Sequence, residues 1–242
     1  MNIQSTNFNT PQFTSRLNPI SPSIIKTASG KLTLKEAKPS EIENPKFLAK
    51  LSEFFSKNFA SNTDDPSWLE FNRMKSKDKK DFINAFIRYL QNIFKQDDGN
   101  MTLLVAKDKR NKIQGACLSY GYDIVDETKN YTLYVDSIAV NKNFRGVNLG
   151  KKMLQKTMDA NKENSNFTDV FLVGEKRAYG FYKKFGFSKL DTGDTEQNKV
   201  AKFIAIDRAD YPEYTDFLTY PLKQEQPRWY SKVAKLIKDE WL

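Results

Sequence analysis

The sequence contains no histidine and only one cysteine, Cys117, among its 242 residues. Without histidine there can be no Ser-His-Asp or Cys-His catalytic group and no zinc site of the H-E-x-x-H type. A single cysteine cannot form an intramolecular disulfide or a cysteine-rich zinc site. The composition therefore indicates chemistry that uses carboxylates, tyrosine, lysine, backbone amides or a cofactor, and it predicts no metal site.

Long apolar runs are missing as well. No stretch approaches the roughly 20 residues that a membrane-spanning helix needs, and the N-terminus lacks the basic and apolar parts of a secretory signal. A lone thiol suits a reducing compartment. We expect a cytoplasmic protein with no membrane segment, and secretion through a signal that is not cleaved is the alternative.

The spacing of apolar residues predicts a mixed α/β fold. Strand-like patterns cover residues 32–37, 101–106, 113–124, 131–140, 168–173, 187–190 and 200–206. Helix-like patterns begin at Asn44-Pro45 and at Asp65-Pro66 and cover residues 78–94, 148–160 and 178–185. This order combines an antiparallel meander with one β-α-β crossover, so we expect a mixed, mostly antiparallel central sheet of about seven strands with flanking helices.

Composition divides the chain into three parts. Residues 1–30 are rich in Asn, Ser, Thr and Pro, which predicts a flexible tail. Residues 31–208 form the predicted domain, and residues 209–242 form an extension that ends in an amphipathic helix. That helix either packs back on the domain or contacts a partner, and the oligomeric state stays open.

The segment from 135 to 155 carries the clearest chemical signal. An apolar strand leads through a short loop with Arg145, Gly146, Asn148 and Gly150 directly into a helix. Glycine lets a ligand approach the backbone closely, and the free N–H groups at a helix start attract anions. The loop therefore predicts a site for a diphosphate, although a plain structural turn has the same outline.

Positive charge is concentrated around this loop. Residues 142–189 hold 11 Lys and Arg against four acids, which accounts for +7 of the net charge of +9. This distribution favours a phosphorylated adenosine cofactor. A nucleic-acid partner is not expected, because the basic stripe interleaved with aromatic residues that such proteins use is nearly absent.

Two motifs in these segments resemble those of the GCN5-related N-acetyltransferase (GNAT) superfamily. The strand end I-A-V followed by R-x-x-N-x-G is similar to motif A, whose pattern is Q/R-x-x-G-x-G/A, and A-Y-G-F-Y-K-K-F-G-F (178–187) is similar to the second signature. The resemblance covers residues 31–208 and implies the acyl-CoA N-acyltransferase fold. It implies a sheet splayed between its fourth and fifth strands, with acetyl-CoA as co-substrate in the gap.

The resemblance also implies roles for individual residues. The backbone of Ile138, Ala139 and Val140 would pair with the pantetheine arm, and Tyr182 would protonate the departing thiolate. The diphosphate would be held by the backbone N–H groups of Arg145, Gly146, Val147, Asn148, Leu149, Gly150 and Lys151. Asn148 replaces the usual first glycine of motif A, and Glu175 replaces an asparagine often found seven residues before the tyrosine.

The chemistry of the side chains is consistent with these roles. A phenol with a pKa of about 10 stays protonated at neutral pH and can still protonate a thiolate, so Tyr182 suits a proton donor, and a packed aromatic is the alternative. Asp136 and Glu175 are the candidate bases, each acting through a water molecule. Strand alternation predicts that Asp136 shares a face with Tyr134 and Ile138.

Each candidate base has a plainer interpretation. Asp136 is then a strand carboxylate bonded to neighbouring backbone, and Glu175 is a loop carboxylate paired with Lys176 or Arg177. Cys117 lacks an evident activator and is expected to be a small buried side chain.

The sequence thus predicts an N-acetyltransferase that moves an acetyl group from acetyl-CoA to a primary amine of a small molecule or peptide. The expected route is direct attack in a ternary complex, without a covalent acetyl-enzyme. Acceptor sites in such domains come from segments that correspond to residues 45–95 and 190–200. The alternative is a non-catalytic acyl-CoA-binding module with a regulatory or interaction role.

Overall fold

The computed structural model describes residues 20–28, 30–61, 66–96, 101–123, 131–162, 167–189 and 215–222. The strands are β1 (Ser23–Thr27), β2 (Gly30–Glu36), β3 (Thr102–Asp108), β4 (Ile113–Asp123), β5 (Tyr131–Val140), β6 (Phe167–Glu175), β7 (Ser188–Lys189) and β8 (Thr215–Pro221). The helices are α1 (Pro39–Ile42), α2 (Pro45–Ala60), α3 (Pro66–Arg73), α4 (Ser76–Gln96), α5 (Leu149–Lys162) and α6 (Tyr179–Lys183), with 3₁₀ turns at Lys142–Phe144 and Lys176–Ala178. Among these residues no helix is both long enough and apolar enough to cross a bilayer.

The described strands form one open sheet in the order β1-β2-β3-β4-β5-β6-β8-β7. Neighbouring strands are antiparallel except for β5 and β6, which are parallel and joined by α5. A parallel pair needs a long crossover, and α5 provides it. The predicted mixed, mostly antiparallel α/β sheet is therefore confirmed, with eight described strands rather than about seven.

The sheet begins inside the segment 1–30 that was expected to be a flexible tail. β1 pairs with β2 from Ser23 opposite Leu34 to Thr27 opposite Gly30. Ile25 is buried, and Gly30 has a φ of +122°, which suits the turn between the strands. Alternation in a five-residue strand gave too little signal to separate it from the polar segment before it. Residues 1–19 of the predicted tail lie outside the described residues.

The sheet also extends into the segment 209–242 that was expected to be an extension. β8 pairs with β6 along its length and lies between β6 and β7. Phe217 and Leu218 are buried, so this part of the predicted extension is a strand of the sheet. The predicted strand 200–206 and the predicted C-terminal helix lie outside the described residues.

Helices cover both faces of the sheet. The start of α2 follows the predicted signal, because the Asn44 side chain accepts a hydrogen bond from the Lys46 N–H at 2.9 Å and Pro45 occupies the first helical position. One face carries the α2–α4 cluster, whose buried side chains include Phe47, Leu51, Phe54, Phe55, Leu90, Leu103, Val105, Ala116, Leu118 and Ala139. The opposite face carries the α5 cluster, which includes Ile25, Leu32, Leu34, Cys117, Leu133, Val135, Leu149, Met153, Leu154, Met158, Tyr182 and Phe187.

Candidate active site

A cleft opens where β5 and β6 stop pairing. β4 pairs with β5 as far as Val140, whereas β6 pairs with β5 only from Tyr131 to Tyr134. Beyond Tyr134 no described strand pairs with that edge of β5. Because a strand directs backbone N–H and C=O groups to both sides, the segment from 138 to 140 has groups aimed into the cleft. These are the backbone groups that the sequence predicts to pair with a pantetheine arm.

The loop at the end of β5 presents backbone donors. Gly146 and Asn148 have φ values of +79° and +61°, so both adopt the left-handed conformation that glycine favours. The Lys152 N–H donates to the Asn148 carbonyl at 2.9 Å. The N–H groups of residues 149–151 therefore have no acceptor within the helix and remain available to a ligand. The predicted diphosphate loop thus has backbone donors and a helix start in one place.

Neighbouring residues hold this loop against the cleft. The Arg145 Nε donates to the Val140 carbonyl at 3.1 Å and fastens the loop to the end of β5. A Cβ atom on Gly150 would lie 3.5 Å from both Val140 Cγ2 and Phe181 Cζ, so a methyl group fits but a longer side chain meets both residues. Arg145 and Lys151 are exposed beside the N–H groups. Their positive charge and the helix dipole favour an anion, so the donor set fits the diphosphate of coenzyme A.

Tyr182 on α6 is buried in the α5 cluster. Its ring packs directly on Gly174 of β6, where an added Cβ would lie 3.1 Å from Tyr182 Cε2. Burial raises the pKa of Tyr182 above its ordinary value, and electrostatic interactions with Cys117 and Glu175 raise it further. The phenol of Tyr182 is therefore protonated at neutral pH and packs against β6.

Asp136 occupies a bulge in β5. The register with β4 shifts between Leu118 and Ser119, which pair with Ser137 and Val135, so Asp136 is the extra residue. Val135 and Ile138 both pack with the α5 cluster, whereas Asp136 contacts side chains over the opposite face. The expectation that Asp136 and Ile138 share a face is therefore wrong, because the extra residue reverses the alternation.

Three hydroxyl groups converge on the Asp136 carboxylate. Tyr89 Oη of α4 donates to Oδ1 at 2.5 Å, Ser137 Oγ donates to Oδ2 at 2.7 Å, and Tyr120 Oη of β4 donates to Oδ1 at 3.3 Å. Burial raises the pKa of Asp136, and these hydrogen bonds act in the opposite direction. A carboxylate with a raised pKa is a stronger base than an exposed one. Asp136 is thus bonded to side chains, rather than to neighbouring backbone as the plainer interpretation had it.

Glu175 is held differently. It is the last residue of β6, and its Oε2 accepts a hydrogen bond from Arg177 Nε at 2.7 Å within an ion pair. This is one of the two partners that the plainer interpretation of Glu175 named. The ion pair therefore occupies one oxygen of the Glu175 carboxylate with a cation, whereas the Asp136 carboxylate is bound by hydroxyl groups.

Cys117 is fully buried, as expected, and Thr157 Oγ1 lies 3.7 Å from its sulfur. Burial raises the pKa of its thiol to about 12, so the reactive thiolate is scarce at neutral pH. Within the described part of the chain no three His, Cys, Asp or Glu side chains are grouped so that they could hold a metal ion.

A separate groove of about 620 Å³ lies outside the cleft. It runs between α2, the β3–β4 turn and the end of β5, and Lys50, Lys57, Lys112 and Lys142 line it together with Glu53. None of the predicted site residues lines this groove. Of the segments expected to receive the acceptor, 45–95 supplies α2 and α4 on the Asp136 face of the sheet, and 190–200 lies outside the described residues.

Sequence reasoning missed the residues that surround Asp136. Tyr89 lies on α4 next to Leu90 of the apolar stripe, and nothing in the helical spacing marks it as a functional residue. Tyr120 and Ser137 become neighbours of Asp136 through strand pairing and the bulge, which cannot be read from one strand alone.

The sequence model of the Acetyltransferase (GNAT) family matches residues 67–187, which is half of the chain. No curated protein matches the sequence significantly.

Solved structures share the fold. PH1933 from Pyrococcus horikoshii OT3 is 15% identical, with a TM-score of 0.50 over 78% of this chain and 98% of that one. A NatC complex bound to Gag peptide and CoA is 14% identical, with a TM-score of 0.50 over 79% of this chain and 99% of that one. A GNAT-family acetyltransferase from Staphylococcus aureus Mu50 is 20% identical, with a TM-score of 0.49 over 79% and 99%.

Proposed function

Because the chain belongs to the GNAT acetyltransferase family, we propose that it moves an acetyl group from acetyl-CoA to a primary amine. The amine belongs to a small molecule or a peptide and attacks directly in a ternary complex. The observation that carries this proposal is the open edge of β5, which ends in a loop with free backbone N–H groups. Acetyl-CoA supplies the thioester from which the acetyl group is taken.

In this proposal the cleft positions the co-substrate. The edge of β5 at Ile138, Ala139 and Val140 binds the pantetheine arm through backbone hydrogen bonds. The N–H groups from Gly146 to Lys151 bind the diphosphate, supported by the helix dipole of α5. The predicted Arg145 N–H is left out of this set, because it already donates to the Lys142 carbonyl at 3.3 Å. The left-handed Asn148 keeps the turn that a glycine would otherwise provide.

The two catalytic side chains approach the cleft from opposite faces of the sheet. Asp136 lies on the face of α2 and α4 and accepts the amine proton, directly or through water. Tyr182 lies on the face of α5 and donates its hydroxyl proton to the departing thiolate. The phenol is protonated at neutral pH, so its proton is present when the thiolate forms, although the raised pKa makes it a weaker acid than an exposed tyrosine. Glu175 is the second candidate base, but its ion pair with Arg177 favours Asp136.

Direct transfer is supported by the state of the thiol. Cys117 is buried with a raised pKa and is the only cysteine in the chain, so an acetylated cysteine is not expected. The acceptor amine must lose a proton before it attacks. At pH 7 this costs about 4.6 kcal/mol for a lysine side chain and about 1.4 kcal/mol for an α-amine, which favours an acceptor of lower pKa.

The test is amine-dependent release of coenzyme A, measured for wild type and Tyr182→Phe on a panel of amines. We expect release by wild type and a reduced kcat with little change in acetyl-CoA affinity for Tyr182→Phe. Tight acetyl-CoA binding with no turnover on any amine would instead support a non-catalytic acyl-CoA-binding module. Absence of acetyl-CoA binding would refute both functions.

A further inference from the structure

We infer that Tyr89 is the positioning residue of Asp136: its hydroxyl orients the carboxylate toward the cleft and favours its ionised form. The inference rests on the proposed function, in which Asp136 accepts the amine proton. Tyr89 lies on α4, outside both GNAT motifs, and its role follows from the position of α4 against the sheet.

The hydrogen bonds to Asp136 use three of the acceptor positions of its carboxylate. A carboxylate offers about four lone-pair sites. Tyr89, Tyr120 and Ser137 donate to three of them, from three different positions in the fold. The carboxylate is thereby fixed in orientation, and the remaining site has no hydrogen-bond donor among the described residues. In the proposed function this site accepts the amine proton.

Tyr89 makes the shorter of the two phenol contacts, and its ring is held in place. The ring stacks on Phe86 with centroids 5.7 Å apart, and Phe86 packs edge-on against Phe55 at 6.0 Å. The next residue, Leu90, is fully buried and anchors this turn of α4. Although Tyr89 is 42% exposed, its hydroxyl is therefore a fixed donor, and little entropy is lost when it binds the carboxylate.

The other titratable groups near Asp136 provide no positive charge to pair with its carboxylate. From β4 these are the phenol of Tyr120 and the thiol of Cys117, and from β5 the phenol of Tyr134. Phenols and thiols are uncharged near neutral pH. Among the described residues no cation contacts the Asp136 carboxylate, and its negative charge is stabilised by hydroxyl donors. Glu175, in contrast, is paired with Arg177.

The decisive variant is Tyr89→Phe, which removes the hydroxyl and keeps the ring stack with Phe86. Loss of a hydrogen bond to the charged form raises the pKa of a carboxyl group. We expect the acid limb of the pH profile of kcat/KM to move about one to two pH units higher, since one hydrogen bond to a charged group has roughly this effect. Tyr120→Phe should give a smaller shift in the same direction, because its contact with Oδ1 is longer.

A second readout does not depend on activity. The Asp136 carboxyl carbon can be titrated by NMR in the free protein, and Tyr89→Phe should move its midpoint upward by the same amount. Tyr220→Phe is the matched control, because Tyr220 lies on β8 against Phe187 and its substitution should move neither readout.

The two readouts separate the possible failures. If the NMR midpoint is unchanged in Tyr89→Phe while Asp136→Asn is inactive, Tyr89 has no positioning role and the proposed function stands. If the NMR midpoint rises while the acid limb stays in place, Asp136 is not the base, and the assignment of both residues is overturned.

Discussion

Asn148 provides a quantitative test of the diphosphate loop. It adopts a φ of +61° immediately before α5, where the family motif usually has glycine. For most L-residues the left-handed conformation costs about 1–2 kcal/mol, whereas Asn tolerates it better and glycine adopts it freely. Asn148→Ala should therefore lower the free energy of unfolding by about 1 kcal/mol. In a chain of this size that corresponds to a decrease of roughly 2–4 °C in Tm.

Asn148→Gly should behave differently, although it also removes the side chain. The strain at this position disappears, and the greater freedom of glycine in the unfolded chain offsets that gain, so we expect a change within about 0.5 kcal/mol. Acetyl-CoA affinity should be retained in Asn148→Gly and weakened in Asn148→Ala, because only the glycine variant keeps the turn without strain.

Thermal unfolding followed by circular dichroism and isothermal titration with acetyl-CoA measure the two effects. Asn143→Ala is the matched control, since Asn143 is exposed, lies outside the loop 145–151 and is not among the described residues with positive φ. If Asn148→Ala matches wild type in both Tm and affinity, the left-handed turn is not required and the reasoning is refuted.

Three further predictions concern other parts of the fold. Gly150→Glu should abolish acetyl-CoA binding by placing a negative charge at the anion site. Gly150→Ala should retain binding, because its Cβ makes only ordinary contacts. Equal binding by both variants in calorimetry would contradict the proposed anion site. Ile25→Ala should lower the free energy of unfolding in urea by about 2–5 kcal/mol because this β1 side chain is buried, and a change under roughly 0.5 kcal/mol would show that β1 is not part of the core. Burial would raise the pKa of Glu41, but hydrogen bonds from Lys35 and Lys107 lower it to about 2, so its contribution to stability is present above about pH 4.5 and is lost as the pH falls toward 2. The free energy of unfolding should therefore decline less in Glu41→Gln than in wild type over that pH range. Parallel stability curves for the two proteins would count against the ion pairs.

Local signals in the sequence predicted much of the fold. β5 has the bounds 131–140 that its apolar pattern indicated, and α2 begins at the Asn44-Pro45 signal. The loop 145–150 leads into α5 as predicted. Each of these features is determined by residues close together in the chain, by alternation, capping or backbone freedom, so one sequence suffices to find them.

Features that depend on distant strands were harder to predict. β1 is recognisable as a strand only through its pairing with β2, and β8 only through its position between β6 and β7. The segment of β8 ends in Pro221, and its apolar pattern did not predict a strand. A strand of this kind acquires its hydrophobic environment from partners elsewhere in the sequence, so its own pattern is weak.

The candidate site shows the same division. Tyr182 and the residues of the diphosphate loop were predicted from the motifs, and Asp136 from its place on the central strand. The orientation of Asp136 was not predictable, because a bulge depends on the residue count of both strands. The Tyr89 contact was missed for a related reason, since it joins α4 to β5 across 47 positions of sequence.

The most direct test of the central claim follows an isotopically labelled acetyl group from acetyl-CoA. Wild-type protein is incubated with labelled acetyl-CoA and the amine panel, and mass spectrometry locates the label. The account predicts labelled acetyl on an amine nitrogen, formed with release of coenzyme A, and loss of this product in Asp136→Asn. Label on Cys117 would contradict direct transfer, and an undiminished rate in Asp136→Asn would contradict Asp136 as the base.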